Sequence, residues 1–482
     1  MTTDTHIDTC LAPDAYIENR PYDEIQIGDK ATYSRTLTAE DIQLFAIVSG
    51  DVNPAHVDPE FANASRFGQV IAHGMWGGSL ISAVLGTEFP GPGTIYISQT
   101  LGFSLPVMIG DTLTVTITCQ EKSDHNKRVI LDCVCTNQNG QEVINGKAEV
   151  KAPSAKIKRP RIVMPKVTIH DRAARYDRLL EIAKNLTAIP MAVAHPCDVE
   201  SLKGALMARD AGLIQPTLVG PEARIRALAE QHGLSLQDCR IINTPHSHAS
   251  AEVSVQLARE GQVEALMKGS LHTDELLGAV IDKEHGLRTA RRISHVFLMD
   301  VPTYPRPLMI TDAAINVEPC LEDKADIIQN AIDLAHMLGT PVPKVAILAA
   351  VETVNPKMRA TLDAAALCKM ADRGQITGGL LDGPLAFDNA ISLVAAKTKG
   401  IQSPVAGQAD ILVVPDIESG NMLAKQLEYL ADALPAGVVL GTRVPIVLTS
   451  RADTAETRTT SCAIAVVMAH ARRNLAATAP GC

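Results

Sequence analysis

The sequence predicts a chain of two domains: an α+β domain with an antiparallel sheet, followed by an α/β domain with parallel sheets. The first observation is length, because 482 residues are too many for one ordinary core. The second is a change of pattern, from alternating apolar and polar runs between 94 and 150 to short apolar strands and helical stretches after 190. Between them, the proline- and lysine-rich segment 151–166 is expected to interrupt regular structure and to act as a linker.

Composition excludes several classes of protein. A hydrophobic content of 46% with 20% charged residues is typical of a globular protein, and the net charge of −10 argues against a nucleic-acid partner. We expect no membrane span and no signal peptide, because no run of 18 apolar residues occurs and the start lacks a basic, then apolar, segment. The ten cysteines are scattered, and only Cys133 and Cys135 are close, without a second zinc-ligand pair. Free thiols in the cytoplasm and no metal site are therefore expected.

The first domain begins with an amphipathic helix over 39–49, since Thr38 and Asp41 resemble a capping box and Gly50 ends it. A strongly apolar helix over 74–85 follows. Four later runs have the period of two that is typical of antiparallel strands: Thr94–Phe103, Thr112–Gln120, Arg128–Asn137 and Glu142–Val150. A long buried helix wrapped by an antiparallel sheet is the arrangement that these elements predict.

The second domain alternates short apolar strands with helices, the pattern of a parallel α/β sheet. Its clearest strands are Pro190–Ala194, Lys344–Ala350, Asp410–Val414 and Val444–Thr449. Small or polar residues follow several of these strands, including His195, Glu352, Asp416 and Ser450. Because ligands of open α/β sheets bind at the carboxyl ends of strands, we expect the site there.

A candidate proton-transfer pair lies in the run 49–58, where Asp51 and His56 are five positions apart. A carboxylate and an imidazole can together deprotonate water and protonate carbon. His73-Gly74 then opens the apolar helix, so the amide of Gly74 can bind a carbonyl oxygen at a helix N-terminus. The same Asp-x-Asn-Pro run is also a favourable turn, which is the plain structural interpretation.

The runs 49–58, 67–75 and 99–103 together resemble the MaoC-like (R)-specific enoyl-CoA hydratases. The resemblance covers 15–152 and implies a hotdog fold, with Asp51 and His56 as the catalytic pair and Gly74 as the oxygen-binding amide. It also implies that Asn53 holds the loop or orients water. The reaction implied is reversible hydration of trans-2-enoyl-CoA to (R)-3-hydroxyacyl-CoA. His73 is expected to be structural.

A series of phrases in the second domain resembles the phosphate acetyl/butyryltransferase family. They include 195–198, 265–273, 311–316, 382–388, 415–421 and 448–453. The resemblance places this domain at 169–476, after a linker at 153–168, and implies an isocitrate-dehydrogenase-like α/β fold with two subdomains. It implies the exchange of CoA and phosphate on an acyl group.

Residues of this second site are carried over from the family's motifs. Ser450 is expected to bond the reacting carbonyl or phosphate, and Arg451 to bind the phosphate with its fork of donors. Further residues implied for substrate binding are Lys268, Gly269, Thr273 and Asn421.

The base for the CoA thiol is not fixed by the sequence. Phosphotransacetylases carry an aspartate seven positions after the serine, where this chain has Thr457, so Asp453 and Glu456 are the candidates and Asp453 is preferred. No arginine follows Thr273 until Arg288, later than in phosphotransacetylases. Both departures favour the butyryltransferase branch and acyl groups longer than acetyl.

The sequence thus predicts a bifunctional cytoplasmic enzyme that acts on acyl-CoA, CoA and phosphate as substrates. We expect no permanently bound cofactor, and the resemblance implies a homo-oligomer, a dimer or higher. Two alternatives stay open. One domain could be only an acyl-CoA-binding or oligomerisation module, or the second could be a related dehydrogenase, although no G-x-G-x-x-G loop is present.

Overall fold

The computed structural model describes residues 16–450 and 453–478, with gaps at 163, 165–166, 168 and 170–173. The chain divides into two compact units, Met1–Ile169 and His170–Cys482. Among the helices described, none combines the length and apolar character needed to cross a bilayer.

The first unit is a helix surrounded by an antiparallel sheet. Its strands are β1 (Tyr16–Glu18), β2 (Lys30–Thr36), β3 (Ile95–Gln99), β4 (Gly102–Phe103), β5 (Thr112–Ser123), β6 (Arg128–Thr136), β7 (Glu142–Lys151) and β8 (Lys158–Pro160). Its helices are α1 (Ala39–Ser49), α2 (Pro54–Val57), α3 (Pro59–Ala64) and α4 (Gly74–Thr87). The main sheet has the order β2-β5-β6-β7-β3, with β4 paired to β7.

The core of this unit follows the predicted periods. Alternate residues of β5 and β6 are buried, and Cys133 and Cys135 point inward together as free thiols. Helix α4 buries Ile81, Val84 and Leu85 against this face. The predicted arrangement of an apolar helix wrapped by an antiparallel sheet is confirmed.

The first helix has both predicted end signals. The hydroxyl of Thr38 accepts from the Asp41 N–H at 3.1 Å, and the Asp41 carboxylate accepts from the Thr38 N–H at 3.1 Å. Gly50 ends the helix with a positive φ of 74°. The chain therefore leaves α1 in a fixed direction, straight into the loop that carries Asp51.

Two details differ from the sequence prediction. The run expected to form one strand over 94–103 is interrupted between β3 and β4, where the Lys147 N–H of β7 donates to the Thr100 hydroxyl in place of a backbone carbonyl. The segment expected to lack regular structure contains β8, which pairs antiparallel with β1 over three residues. Pro160 is tolerated there because β8 is an edge strand and needs few N–H donors.

The second unit contains one mixed sheet of eleven strands. The strands are β9 (Ile189–Ala194), β10 (Ile214–Gly220), β11 (Arg240–Asn243), β12 (Ala265–Lys268), β13 (Ser294–Asp300), β14 (Leu308–Thr311), β15 (Lys344–Leu348), β16 (Leu380–Leu385), β17 (Ile411–Val413), β18 (Leu434–Leu440) and β19 (Ile446–Val447). The helices are α5 (Ala174–Lys184), α6 (Val199–Asp210), α7 (Glu222–Gln231), α8 (Ser247–Arg259), α9 (Thr273–Ile281), α10 (Leu321–Met337), α11 (Arg359–Asp372), α12 (Phe387–Ile391), α13 (Leu393–Thr398), α14 (Ile417–Leu430) and α15 (Ala455–Thr478).

The strand order is β11-β10-β9-β12-β19-β18-β13-β14-β17-β15-β16. The first five strands are parallel and so are the last four, as predicted, but β18 and β13 between them run antiparallel to their neighbours. The two parallel groups therefore point in opposite directions. Val447 at the end of β19 and Thr311 at the end of β14 are level with Val296 of β13. The segments that leave these two ends therefore start at the same height of the sheet.

Two glycines test how the helix and the sheet of the first unit pack, because alanine should destabilise the protein at one of them and stabilise it at the other. A Cβ on Gly146 would lie 1.8 Å from the Thr100 carbonyl oxygen, whereas Gly86 in α4 has nothing within 4 Å. We expect Gly146→Ala to lower the free energy of unfolding by more than about 2 kcal/mol, because backbone must move. Gly86→Ala should raise it by up to about 1 kcal/mol through helix propensity. Calorimetry of the full chain measures both, and equal transition temperatures for the two variants would contradict this packing.

Candidate active sites

The loop after α1 holds Asp51 through short local hydrogen bonds. The Asp51 N–H donates to the Ser49 hydroxyl at 3.2 Å, and the Asp51 carboxylate accepts from the Asn53 N–H at 3.2 Å. Asn53 in turn caps α2, accepting from the Ala55 N–H at 3.1 Å. The Asp51 side chain stays exposed, so its second carboxylate oxygen can meet a substrate.

The imidazole of His56 is oriented by one backbone carbonyl. Its Nδ1 lies 2.9 Å from the Ile71 oxygen. Because a carbonyl only accepts, Nδ1 carries the proton and Nε2 is left as the atom that exchanges one. A half-buried His56 on α2 therefore presents the correct nitrogen for acid–base work.

His73 connects the separate parts of this site. Its Nε2 donates to the Asp51 backbone oxygen at 2.9 Å, and its ring centroid lies 4.0 Å from that of His56 and 5.0 Å from that of Phe45. It is also the residue before Gly74, the first of α4. The buried Nδ1 has no partner among the described residues. This agrees with the expectation that His73 is structural, but the structure ties it to both proton-transfer residues.

Gly74 is the residue whose amide is predicted to bind a carbonyl oxygen, and it is the first residue of α4. The first N–H groups of a helix have no intrahelical acceptor, and the His73 side chain does not cap α4. Gly74 is exposed, and a Cβ there would lie 3.1 Å from the Phe103 ring. The absence of a side chain thus lets the Phe103 ring lie against the helix start, where the helix dipole favours negative charge.

The atoms of Asp51, His56 and His73 that could bind a metal lie within 4.8 Å of one another. However, two imidazoles on one zinc ion place their ring centroids roughly 5 Å apart, because each nitrogen lies about 2.0 Å from the metal at a tetrahedral angle. The 4.0 Å separation of the His56 and His73 rings, tilted by 32°, is the geometry of stacking. The cluster suits proton transfer better than metal binding.

The second unit contains a cavity of about 740 Å³ at the level where β14 and β19 end. It brings together Thr273 at the start of α9, Asn421 on α14 and Ser450 after β19, three residues predicted from the sequence. The rest of its wall comprises Phe297, Ala314, Ile417, Glu418, Met422, Lys425, Leu448 and Thr449. A polar rim beside an apolar wall suits an acyl group attached to a charged carrier.

Lys268 and Gly269 do not line this cavity. Lys268 is buried at the end of β12, where its Nζ donates to the Leu271 oxygen at 3.2 Å and the Gly269 oxygen at 3.4 Å. A Cβ on Gly269 would lie 2.5 Å from the Ala194 oxygen, so glycine is needed for the contact between β12 and β9. The ammonium group faces backbone carbonyls, whereas the resemblance implies that it binds the phosphate directly.

Asp453 lies directly beside Ser450. Its carboxylate accepts from the Ser450 N–H at 2.7 Å, and burial raises the pKa of the Asp453 carboxyl. Glu456, the other candidate base, is exposed, and its own backbone N–H lowers the pKa of its carboxyl. Arg451 lies outside the described residues. Of the two carboxylates, Asp453 has the more basic character and lies nearer the strand end.

Arg458 and Thr449 lie at this site but are not among the site residues predicted from the sequence. Arg458 on α15 is buried, and its Nη1 donates to the Thr449 hydroxyl at 2.8 Å and to the Lys268 oxygen at 3.3 Å, while Nη2 donates to the Ser450 oxygen at 3.0 Å. Burial lowers the pKa of its guanidinium, which the nearby carboxylates of Asp198 and Asp453 oppose. In the sequence Arg458 stands in a polar first turn of the last helix, beside Glu456 and several threonines, so nothing there indicates that it is buried.

Comparison with known families identifies a relative for each unit. Residues 250–466 match the family model "Phosphate acetyl/butaryl transferase", and residues 24–137 match "MaoC like domain". A phosphate acetyltransferase from Rhizobium meliloti is 60% identical over 300 residues, covering 62% of this chain and 95% of that relative. The chain belongs to the phosphate acetyl/butyryltransferase family. It carries in addition a MaoC-like hydratase domain, so the predicted combination of two enzyme families in one chain is confirmed.

Two solved structures are similar to this member of the phosphate acetyl/butyryltransferase family. A branched-chain phosphotransacylase from Enterococcus faecalis V583 is 31% identical, covers 58% of this chain and 99% of its own, and has a TM-score of 0.53. An R-hydratase from Pseudomonas aeruginosa is 44% identical, covers 32% of this chain and 99% of its own, and has a TM-score of 0.31. The dehydrogenase alternative finds no support in these relatives.

The departures at Thr457 and Arg288 favoured the butyryltransferase branch. The relatives include both branches: the acetyltransferase is 60% identical, and a phosphate butyryltransferase from Clostridium acetobutylicum is 42% identical over 287 residues. The choice of branch stays a prediction.

The link between His73 and Asp51 can be tested with His73→Phe. Phenylalanine keeps a ring against His56 but cannot donate to the Asp51 oxygen. We expect kcat/KM for enoyl-CoA hydration to fall about 10- to 100-fold, because the loop that carries the carboxylate loses its anchor. Phosphate-dependent CoA release by the same chain is the control and should not change. A variant that remains folded and hydrates at the wild-type rate would contradict this role.

Proposed function

We propose that the first unit reversibly hydrates trans-2-enoyl-CoA to (R)-3-hydroxyacyl-CoA. The observation that supports this is the convergence of Asp51, His56 and the Gly74 amide around His73. Asp51 and the free Nε2 of His56 take a proton from water as its oxygen attacks C3, and they return one to C2. The Gly74 N–H binds the thioester oxygen, which carries enolate-like charge between these events. Asn53 keeps the loop in place.

We propose further that the second unit exchanges CoA and phosphate on a short acyl group. A phosphate oxygen attacks the thioester carbonyl, the C–S bond breaks, and the departing CoA thiolate takes up a proton. Thr273, Asn421 and Ser450 bind the reactants in the cavity that they line, and Arg451 neutralises the phosphate. Asp453 is the base for the thiol in the reverse direction. Lys268 and Gly269 do not line the cavity and support the site by holding the end of β12 in place.

The remaining expectations belong to the same proposal. The hydratase domain comprises 15–152, the linker 153–168 and the transferase domain 169–476. No cofactor is permanently bound, and the free thiols of the described cysteines suit the cytoplasm, where acyl-CoA and phosphate are available. Strand β3 pairs with β7 on one side only among the described residues, and its Ile95, Tyr96 and Ile97 are exposed, which supports assembly into a homo-oligomer.

The two activities should be separable by substitution. We expect Asp51→Asn and His56→Ala each to reduce crotonyl-CoA hydration by more than about 100-fold and to leave phosphate-dependent release of CoA from acetyl-CoA and butyryl-CoA intact. Arg451→Ala should have the reverse effect. Hydration is followed by the loss of enoyl thioester absorbance, and CoA release with a thiol reagent. Hydration without any CoA release from either acyl-CoA would mean that the second unit is a binding or assembly module.

The base is tested by the pH dependence of acyl-CoA formation from acyl phosphate. A carboxylate acts as a base only when it is ionised, and burial raises the pKa of Asp453. The rate should therefore fall as the pH drops through a value above that of an ordinary aspartate. Asp453→Asn, which can still accept from the Ser450 N–H, should lower kcat about 100-fold or more and remove this acid limb.

Glu456→Gln is the matched control, because Glu456 is exposed on the same turn and should leave the pH profile unchanged. If the acid limb persists in the Asp453→Asn enzyme, or moves in the Glu456→Gln enzyme, Asp453 is not the base.

A further inference from the structure

The hydroxyl of Thr449 has an arrangement that the proposed mechanism does not use. Thr449 is 2% exposed and lies in the wall of the transferase cavity between Leu448 and Ser450. Its oxygen accepts a hydrogen bond from Arg458 Nη1 at 2.8 Å. A guanidinium only donates, so this bond uses a lone pair of the hydroxyl and leaves its proton to be donated elsewhere.

No acceptor for that proton is found among residues 16–450 and 453–478, apart from their gaps. A buried hydroxyl proton without an acceptor is costly, and the direction still open to it is the cavity that Thr449 lines. The bond from a guanidinium also withdraws electron density from the hydroxyl oxygen, which makes the hydroxyl a stronger donor. Among the described residues, the cavity wall therefore presents a polarised donor that a bound ligand can meet.

The Arg458 side chain is held in place by burial and by several hydrogen bonds. It is 1% exposed, and it bonds the backbone oxygens of Lys268 and Ser450 as well as Thr449, so it joins the ends of β12 and β19. A Cβ on Gly204 of α6 would lie 2.8 Å from the Arg458 Cβ. The absence of a side chain at 204 is what gives the buried arginine its room.

We propose that Thr449 donates a hydrogen bond to the acyl carbonyl oxygen in the transferase site, and that Arg458 is the residue that positions and polarises it. The inference rests on the proposed acyl transfer in the second unit. As phosphate or the CoA thiolate attacks, this oxygen gains negative charge, so the bond strengthens in the transition state. Ser450 is then left to contact the phosphate.

The test uses the full chain with acetyl-CoA and inorganic phosphate. Thr449→Val keeps the shape of the side chain but removes the proton, and we expect kcat to fall about 10- to 100-fold with KM values within about twofold. Thr449→Ser, which restores the hydroxyl, should recover activity to within about fivefold of wild type. Thermal unfolding of each variant reports whether the second unit is intact.

The role of Arg458 is tested by combining its substitution with Thr449→Val. Arg458→Lys should lower kcat, and the loss should be smaller in the Thr449→Val background than in the wild-type chain, because part of it acts through the same donor. A purely structural arginine would give additive losses. Gly204→Ala, which displaces the Arg458 side chain without changing its charge, should lower kcat in the same way and provides a second route if Arg458→Lys is unstable.

Three results would overturn the inference. They are a folded Thr449→Val enzyme with wild-type kcat, failure of Thr449→Ser to recover activity, and additive losses in the double variant. None of these three results would contradict the acyl transfer proposed for the wild-type protein. An absence of phosphate-dependent CoA release in the wild-type protein would instead overturn the proposed function and this inference together.

Discussion

A hydrogen bond from a buried side chain to a backbone carbonyl holds the reactive loop in each unit. In the first unit the donor is His73 and the acceptor is the Asp51 carbonyl; in the second they are Arg458 and the Ser450 carbonyl. Both loops follow a helix or strand end, where the backbone has no regular partner. The donors His73 and Arg458 are buried, and a buried polar group left unpaired costs about 1–3 kcal/mol, so the loop takes the conformation that brings its carbonyl to the donor. The reactive side chain is thereby fixed without touching the donor.

The two sites keep their carboxylates in different environments. Asp51 is exposed and its carboxylate is held by the Asn53 N–H, so it is accessible to water, which is a reactant of hydration. Asp453 is buried beside a buried guanidinium, and the raised pKa of its carboxyl favours proton uptake. An exposed carboxylate suits exchange with solvent, whereas a buried one suits a thiol that must lose its proton away from water.

Much of both units could be predicted because the signals are local. The capping box at Thr38, the stop at Gly50 and the period of two in β5 and β6 depend on neighbours in sequence. The direction of Lys268 could not be predicted, because it depends on carbonyls of a turn whose path is set by contact with β9. In the sequence, Arg458 cannot be distinguished from a surface charge, because its burial depends on the packing of α15 against α6. Strand β8 has only three residues, too few for a period to be recognised.

The span of each site along the chain follows from the fold. The parts of the hydratase site come from residues 45–103, adjoining segments that meet through short hydrogen bonds. The transferase cavity is assembled from positions 273, 297, 421 and 450, because two parallel groups of strands with opposite directions reach the same level beside β13. Such a cavity needs the central strands β19, β18, β13 and β14 in place. Acyl transfer therefore depends on contacts between segments far apart in sequence, whereas the hydratase pair depends on one loop, the short helix α2 and the start of α4.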